Sequence, residues 1–284
     1  MGVRAVLLLS CSDQRGLVFS VSEFVYRNGG NIIGADQHTD MENGIFVQRV
    51  EWDLEGFALG RDEIAERFRP IAARFGMRWD LRFTDQVARI AILVSRLGHC
   101  LHDLLWRQKV GEFQAELPLV VSNHPDLRPV AEGFGARYEH VPVTPETRTA
   151  SETRLLALLE EERIELVVLA RYMQVLGPRV LEVYPHRIIN IHHSFLPAFI
   201  GARSYHQAYE RGVKAIGATA HYVTRDLDQG PIIEQDVTRV SHRDSVEDLL
   251  RRGRDLEKVV LARAVDLHLR HGVLVYGNKT AVFD

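Results

Sequence analysis

The sequence predicts an α/β protein in two parts: a ferredoxin-like βαββαβ domain, then a Rossmann-like domain with a mainly parallel sheet. Three observations support this. Residues 3–83 alternate in the order strand, helix, strand, strand, helix, strand. Beyond residue 86, strands alternate one by one with helices. Several later strands, such as residues 166–169, are unbroken apolar runs, which predicts burial on both faces of a parallel sheet.

The elements of the first part follow from local patterns. Residues 3–9 form an apolar strand, and apolar side chains then recur at helical spacing until the helix stop NGG at residues 28–30. Two β-rich runs, NIIGADQHTD and GIFVQRVEWD, are joined by the hairpin signal NG at residues 43–44. GRDEIAERFRPIAARFG predicts a helix with a kink or break at Pro70. MRWDLRF predicts the closing strand.

The run TDQV, residues 84–87, is the expected domain boundary. It gives an N-terminal domain of residues 1–84 and a C-terminal domain of residues 86–284. Strands and helices alternate from VARIAILVS to YPHRIINIHHS, and two more strands follow in AIGATAHYV and PIIEQDV. The last long element, about residues 245–271, has apolar side chains along one side, which predicts an amphipathic helix covering the sheet.

Composition narrows the classes of protein to consider. A hydrophobic content of 46% and a charged content of 26% are typical of a soluble globular protein, and we expect a cytoplasmic one. The formal net charge of -3 gives no reason to expect nucleic acid or an anionic membrane as partner. No apolar run approaches the roughly 20 residues of a membrane span. Cys11 and Cys100 are too few for a disulfide framework or a structural zinc site.

Three polar residues in and after RIINIHHSFLPAFIGARSYHQA, residues 187–208, suit chemistry on a carbonyl group. Asn190 and His192 lie two residues apart at the end of a predicted strand, so both point to one side. Ligands of parallel sheets bind beyond such strand ends. Asp228 lies in the loop TRDLDQG between the next two strands. An amide can donate to an oxyanion, an imidazole can move a proton, and a carboxylate can orient the imidazole or take a proton. These are the predicted catalytic residues.

The same residues also have structural interpretations. Asp228 precedes Gln-Gly, which is typical of a turn. Asn190 or His192 alone would fit a satisfied strand-end group. His221 lies inside the strand TAHYV, where either a structural or a functional role fits.

No metal or cofactor is predicted. His192, His193 and His206 are the available imidazoles near the strand end, but adjacent histidines on a strand face opposite sides. A site using both His192 and His193 is therefore not expected.

The N-terminal run LLLSCSDQRGLVFSVSEFVYRNGGNIIGADQHTD resembles an ACT domain, a small regulatory module that often senses amino acids. Asp13, Gly16 and the run GNI at residues 30–32 carry the resemblance. It implies an amino-acid effector near the glycine pair at residues 29–30, although that pair also fits a plain helix cap. Arg15 replaces the proline that usually precedes the first glycine of this loop. Such modules commonly pair chains, so we expect a homo-oligomer.

The C-terminal part resembles the folate-dependent formyltransferase fold over about residues 86–275. NIHHSFLPAF, followed by Asp228 in DLDQGPII, carries this resemblance. LARYMQVL, GVKAIGATAHYVT and LDQGPIIEQ, with the ACT-like front end, resemble the formyltetrahydrofolate deformylases over nearly the whole chain. His193 replaces the proline usual in the transferases, and Ser204 replaces a proline general in the deformylases.

This resemblance implies substrate, partners and reaction. The folate 10-formyltetrahydrofolate and water are the expected small-molecule partners, and the products are formate and tetrahydrofolate. Asn190, His192 and Asp228 are implied to handle the formyl group. Asp228, directly or through His192, would remove the proton of water, and a raised pKa of Asp228 would favour its acting as the base. The family implies that the formate serves purine synthesis and one-carbon balance.

The resemblance also implies the substrate-binding residues. Arg171, Tyr172 and Met173 follow the strand LVVLA, where this family lines its pterin pocket, partly through backbone groups. The alternative is an ordinary loop after a strand. His193 and Ser194 are expected to bind substrate beside the catalytic histidine, although His193 could instead face away and bond the scaffold.

Two rival functions remain open: a formyltransferase acting on an amine, and a non-catalytic folate or amino-acid sensor. The first strand–helix junction of the second domain, VSRLGHCLHDLL, has one glycine and lacks a Gly/Ser-rich turn that would cradle a phosphate. That argues against a nucleotide-dependent transferase. An intact trio of Asn190, His192 and Asp228 argues against the sensor.

Overall fold

The chain folds around two main sheets, each in its own unit, in the computed structural model, which describes residues 2–198 and 204–283. One unit is made of residues 1–86 together with residues 270–284, and the other is made of residues 87–269. The predicted end of the first domain at residue 84 lies close to this division. The predicted second domain, residues 86–284, also included the C-terminal segment that here belongs to the first unit.

The strands and helices of the first unit follow the predicted order. They are β1 (Arg4–Ser12), α1 (Leu17–Arg27), β2 (Ile32–Asp40), β3 (Ile45–Asp53), α2 (Arg61–Phe75) and β4 (Arg78–Phe83). The sheet has the order β2-β3-β1-β4, and all neighbours are antiparallel. This is the ferredoxin-like arrangement, so the fold class predicted for this part is confirmed.

Two glycines of this unit lie at turns, as predicted, whereas Pro70 lies inside a helix. Gly29 follows α1 in the left-handed region at φ 75, and Gly44 takes φ 63 in the hairpin between β2 and β3. Of the kink or break predicted at Pro70, the break does not occur, since α2 runs through this residue to Phe75. Pro70 cannot donate to the carbonyl of Glu66, but both residues are exposed. Water can therefore satisfy that carbonyl.

A C-terminal hairpin that the sequence patterns did not predict completes the first unit. Its strands are β12 (Val273–Tyr276) and β13 (Lys279–Val282). Leu274 and Phe283 pack with Leu8 and Val47 in a small apolar cluster. The side chain of Lys279 also binds the Asp40 carboxylate, with Nζ 2.9 Å from Oδ2.

The second unit alternates strands and helices as predicted. Its strands are β5 (Ala88–Val94), β6 (Ala115–Ser122), β7 (Arg137–His140), β8 (Leu166–Leu169), β9 (Ile188–His192), β10 (Ala215–Tyr222) and β11 (Ile232–Arg239). Its helices are α3 (His99–Lys109), α4 (Arg128–Gly133), α5 (Arg148–Glu161), α6 (Pro178–Val183), α7 (Ser204–Arg211) and α8 (Val246–Leu269).

The sheet of the second unit has the order β11-β10-β9-β8-β5-β6-β7. Strands β5 to β9 are parallel, and their apolar runs are buried. Strand β10 runs antiparallel to both β9 and β11. The sheet is thus mainly parallel, as predicted, with two strands of mixed direction at one edge.

Helix α8 is the predicted amphipathic covering helix. It packs against β9, β10 and β11 and against α3, with one side buried. Within residues 2–198 and 204–283, no helix is both long enough and apolar enough to cross a membrane.

Candidate active site

Strands β9 and β10 bring four polar side chains to one face of the sheet. Asn190 lies opposite His221, and His192 lies opposite Thr219. Residues opposite one another on paired strands share a face, as do residues two apart on one strand. Ile191, between Asn190 and His192 on β9, is buried.

Asp228 reaches this face from a direction that the sequence did not predict. Because β10 is antiparallel to β9, its end lies beside the start of β9, where the Val223 N–H donates to the Ile188 carbonyl at 2.9 Å. The loop then folds back to His192. Asp228 takes a left-handed conformation at φ 55 to do so. The three predicted catalytic side chains thus meet, but not all at strand ends on one edge.

The contacts among these groups form a chain. His192 Nδ1 lies 3.3 Å from Asp228 Oδ2, and His221 Nε2 lies 3.7 Å from Asp228 Oδ1. His221 Nε2 also lies 3.2 Å from Asn190 Nδ2. The other nitrogen of His221, Nδ1, donates to the Tyr222 carbonyl at 2.9 Å, because a carbonyl can only accept. His221 therefore stands between the amide and the carboxylate.

The pKa of Asp228 is lowered, whereas a raised pKa would favour its acting as the base. Burial raises the pKa of this carboxyl, but the nearby imidazoles of His192 and His221 outweigh that effect, and the net result is a lowered pKa. Asp228 is therefore an ionised carboxylate at neutral pH, and a poor base toward water. It is well placed instead to hold the His192 imidazole and to stabilise its protonated form.

One nitrogen in this cluster is conspicuous because it is buried without a partner. His192 is 5% exposed, and its Nε2 atom has no hydrogen-bond partner among the described residues. In the neutral imidazole whose Nδ1–H points to Asp228, Nε2 carries the lone pair. A buried imidazole nitrogen in this state can accept a proton from a bound water.

A cavity of about 240 Å³ opens onto these groups. Asn190, His192, His221 and Asp228 all line it. Most of its wall comes from two segments, residues 171–176 after β8 and residues 223–228 after β10. The cavity combines an apolar wall with a few convergent polar groups, which is the usual form of a small-molecule site.

Four of the five predicted substrate-binding residues line this cavity: Arg171, Tyr172, Met173 and His193. Ser194 does not. Its hydroxyl donates to the Ala198 carbonyl at 2.6 Å, and it lines a neighbouring cavity instead.

Ser204, where relatives were expected to have proline, is also tied to the scaffold. Its hydroxyl donates to the His193 carbonyl at 2.6 Å, so it anchors the residue beside the candidate histidine. Phe199, which ends the motif NIHHSFLPAF, and Arg203 lie outside the described residues.

His221 is a site residue for which sequence reasoning left both a structural and a functional role open. The signal was present in the pattern: Thr219 and His221 are polar residues at alternate positions of an apolar strand, which predicts one shared face. What could not be predicted is the register that sets His221 opposite Asn190.

The unit that carries these groups is similar to known proteins in sequence and fold. Residues 88–265 match the family model described as formyl transferase. A glycinamide ribonucleotide transformylase from Symbiobacterium toebii is 34% identical, with a TM-score of 0.66, over 70% of this chain and 95% of that one. The site-bearing unit thus shares its fold with transferases.

Similarity to deformylases extends over both units. A formyltetrahydrofolate deformylase of Synechocystis sp. is 56% identical over 98% of each chain. The Bacillus subtilis enzyme of that name is 48% identical over 98% of this chain and 93% of its own. A crystal structure of a deformylase from Pseudomonas syringae pv. tomato superposes with a TM-score of 0.98 at 46% identity, covering 100% of this chain and 95% of that one. Since these matches include the N-terminal unit, which the transformylase match does not span in full, the chain belongs to the formyltetrahydrofolate deformylase family, whose members are hydrolases.

Proposed function

We propose that this chain hydrolyses 10-formyltetrahydrofolate to formate and tetrahydrofolate at the β9–β10 face. The observation that carries the proposal is the state of His192. Its Nδ1 lies beside the Asp228 carboxylate, and its side chain lines the cavity, with a buried Nε2 that has no hydrogen-bond partner among residues 2–198 and 204–283. This arrangement supplies a general base at the place where a small acyl group can bind.

In the first step His192 Nε2 takes a proton from a water molecule in the cavity. The water oxygen attacks the formyl carbon, and the electron pair of the C=O bond moves to the formyl oxygen. Asp228 stays ionised and stabilises the imidazolium that forms, in the manner of the carboxylate of a catalytic triad. The lowered pKa of Asp228 supports this role over that of a direct base.

Asn190 stabilises the oxyanion in this proposal. Its Nδ2 atom has two N–H groups, and the contact with His221 Nε2 occupies one of them. The second is left to donate to the negatively charged oxygen. The intermediate then collapses: the bond between carbon and the folate nitrogen breaks, and that nitrogen takes the proton from His192. Formic acid leaves and ionises to formate.

The walls of the cavity are the proposed folate contacts. Arg171, Tyr172 and Met173 form one side and His193 borders the reacting groups. We leave Ser194 out of the contacts, because its hydroxyl is committed to the Ala198 carbonyl.

For the N-terminal unit we propose an ACT-like regulatory role that pairs chains and binds an amino-acid effector. Its ferredoxin-like strand order supports this assignment. The close packing around Gly30 supports a structural role for the glycine pair, because a Cβ at that position would collide with the side chains of Val25 and Phe57. At the level of the cell, we propose that the chain supplies formate for purine synthesis and balances one-carbon pools.

The test is formate release from 10-formyltetrahydrofolate by the purified chain with no amine added, comparing wild type with Asp228→Asn. Asparagine tolerates the left-handed conformation of residue 228, so the change removes charge without straining the backbone. We expect steady release by wild type and a kcat lower by about 10³–10⁴ in the variant. Asp255→Asn, an exposed aspartate on α8, is the matched control and is expected to act like wild type.

The same assay separates the rivals. Release that requires an added amine would replace the hydrolase with a formyltransferase. Folate binding without any turnover by folded wild type would point to a sensor.

A further inference from the structure

A buried carboxylate outside the reacting trio has no part in the mechanism above. Glu257 on α8 is 1% exposed, and both of its oxygens are bound. His99, the first residue of α3, contacts Oε2 through Nε2 at 2.8 Å, and the Tyr205 hydroxyl of α7 donates to Oε1 at 2.8 Å. Three helices thus meet at one side chain.

Glu257 is charged in spite of its burial. Burial raises its pKa, but the contact with His99, the charge of Arg171 and the Tyr205 hydrogen bond together lower it. A buried ionised carboxylate needs an opposite charge nearby. Arg171 provides one, with Nε 3.6 Å from Glu257 Oε2.

Arg171 joins this carboxylate to the substrate cavity. It lines the cavity, and its side chain is 11% exposed. Its Nε atom is buried and has no hydrogen-bond partner in the described part of the chain. The Glu257 carboxylate therefore offsets the cost of burying the guanidinium at that atom. Glu257 is therefore linked to the cavity wall through a single ion pair.

The backbone conformation of Arg171 depends on the groups that hold its side chain. Arg171 takes a left-handed conformation at φ 63, which a long side chain adopts only when its surroundings hold it. Its carbonyl accepts from the Ser95 N–H at 3.2 Å, and the Ser95 hydroxyl accepts from the Met173 N–H at 2.9 Å. The residues from 171 to 173 are fixed at both ends by these contacts.

We infer that Glu257 is a positioning residue for the deformylase reaction: it holds Arg171 in place and so shapes the wall of residues 171–173 that receives the folate. The inference rests on the proposed function. Because Glu257 acts through Arg171 and not on the reacting atoms, its loss raises KM and leaves kcat nearly unchanged.

A metal ion is the other use for these groups. Atoms of His99, Cys100 and Glu257 lie within 4.8 Å of one another. The Arg171 guanidinium beside Glu257 repels a cation, and burial raises the pKa of Cys100, which keeps the thiol protonated. The positioning role is therefore favoured.

The test compares wild type, Glu257→Gln, Arg171→Gln and the double variant by formate release. Glutamine keeps the shape of Glu257 and removes its charge. We expect each single change to raise KM about tenfold with kcat within about threefold of wild type, and the double variant to match the larger single effect. Glu247→Gln, an exposed change on the same helix, is the control.

An unchanged KM in Glu257→Gln, or single effects that multiply in the double variant, would overturn the inference. If Glu257→Gln does not fold, Glu257→Asp replaces it, because aspartate keeps the charge and retracts it by one methylene. Glu257→Asp must then raise KM, and combining it with Arg171→Gln must raise KM no further than the larger single change does. Stoichiometric zinc in the purified wild type, lost in His99→Gln, would replace positioning by a metal site. Should wild type release no formate, calorimetric binding of tetrahydrofolate to the same variants decides the inference independently of the proposed function.

Discussion

His221 and Asn190 meet across the β9–β10 pair, and their contact decides which way the amide points. An asparagine amide can present either its oxygen or its nitrogen to a ligand. His221 Nδ1 donates to the Tyr222 carbonyl, which leaves the lone pair of Nε2 facing Asn190. A lone pair selects the N–H side of the amide. The donor that would bind an oxyanion is thus set by a neighbour on the adjacent strand.

This orientation predicts a non-additive pair of variants. Asn190→Ala should lower kcat about 10²–10³-fold, because it removes the proposed oxyanion donor. His221→Phe should lower kcat by about tenfold, or ~1.4 kcal/mol, because the donor remains but is no longer held. In the double variant the loss should equal that of Asn190→Ala alone. The measurement is steady-state formate release, with exposed His206→Gln as the control. Multiplying losses would show that His221 acts independently of Asn190.

At the residue scale, sequence reasoning could predict which groups meet but not their states. Alternation along β9 was enough to put Asn190 and His192 on one side. The pKa of Asp228 depends on two imidazoles that approach it in space, so nothing in the loop TRDLDQG could predict its direction. The hydrogen-bond partner of the Ser194 hydroxyl could not be predicted either, because it is the Ala198 carbonyl rather than a ligand.

The loop between β10 and β11 is the element that delivers Asp228, and one glycine makes its path possible. The Tyr222 N–H donates to the Pro231 carbonyl at 2.9 Å, which draws the two ends of the loop together. Gly230 lies against the Tyr222 carbonyl so closely that a Cβ would overlap the oxygen. The close approach of backbone to backbone therefore requires glycine at this position.

Gly230→Ala should accordingly displace the loop. We expect a loss of about 1–3 kcal/mol in the free energy of unfolding, and a larger loss of activity than that alone would cause, because Asp228 moves away from His192. Thermal unfolding and formate release measure the two effects. Gly133→Ala is the matched control, since a Cβ there meets nothing within 4 Å. An active Gly230→Ala variant with an unchanged melting temperature would show that the loop tolerates the overlap.

Elements were predictable where their own residues determine them and not where partners do. Periodicity was enough for the helices and for the buried parallel strands. The direction of β10 was not predictable, because an apolar strand carries no mark of parallel or antiparallel pairing. The prediction of a break at Pro70 was wrong for a comparable reason: the helix turn around Glu66 and Pro70 is exposed, so water can replace the missing backbone hydrogen bond.

At the scale of the whole molecule, the first unit is built from both ends of the chain. Its C-terminal hairpin contributes Leu274 and Phe283 to a cluster with Leu8 and Val47. We inferred the domain boundary from a change in the order of strands and helices along the sequence. Such a boundary assigns every later residue to the second domain. Contacts between distant segments do not leave such a local pattern, so the return of residues 270–284 could not be predicted in that way.

One residue of the returning segment should make the stability of this unit depend on pH. Burial lowers the pKa of His271 to about 4, with Arg82 and Arg49 adding to the effect and Asp80 opposing it. In an unfolded chain the pKa of histidine is about 6.5. Between these values the unfolded state binds a proton that the folded state does not. Unfolding therefore becomes more favourable as the pH falls from about 6.5 to about 4, and this contribution is complete below that range.

His271→Asn tests this dependence with little other change, because residue 271 takes φ 52 and asparagine tolerates the left-handed region. Calorimetric unfolding at pH 7 and pH 5 should show a loss of stability in wild type that is smaller in the variant by about 1–2 kcal/mol. Exposed His38→Asn, in the same unit, should keep the full wild-type loss. Equal losses in wild type and His271→Asn would mean that His271 is protonated in the folded chain at pH 5, and that its burial does not exclude the charge.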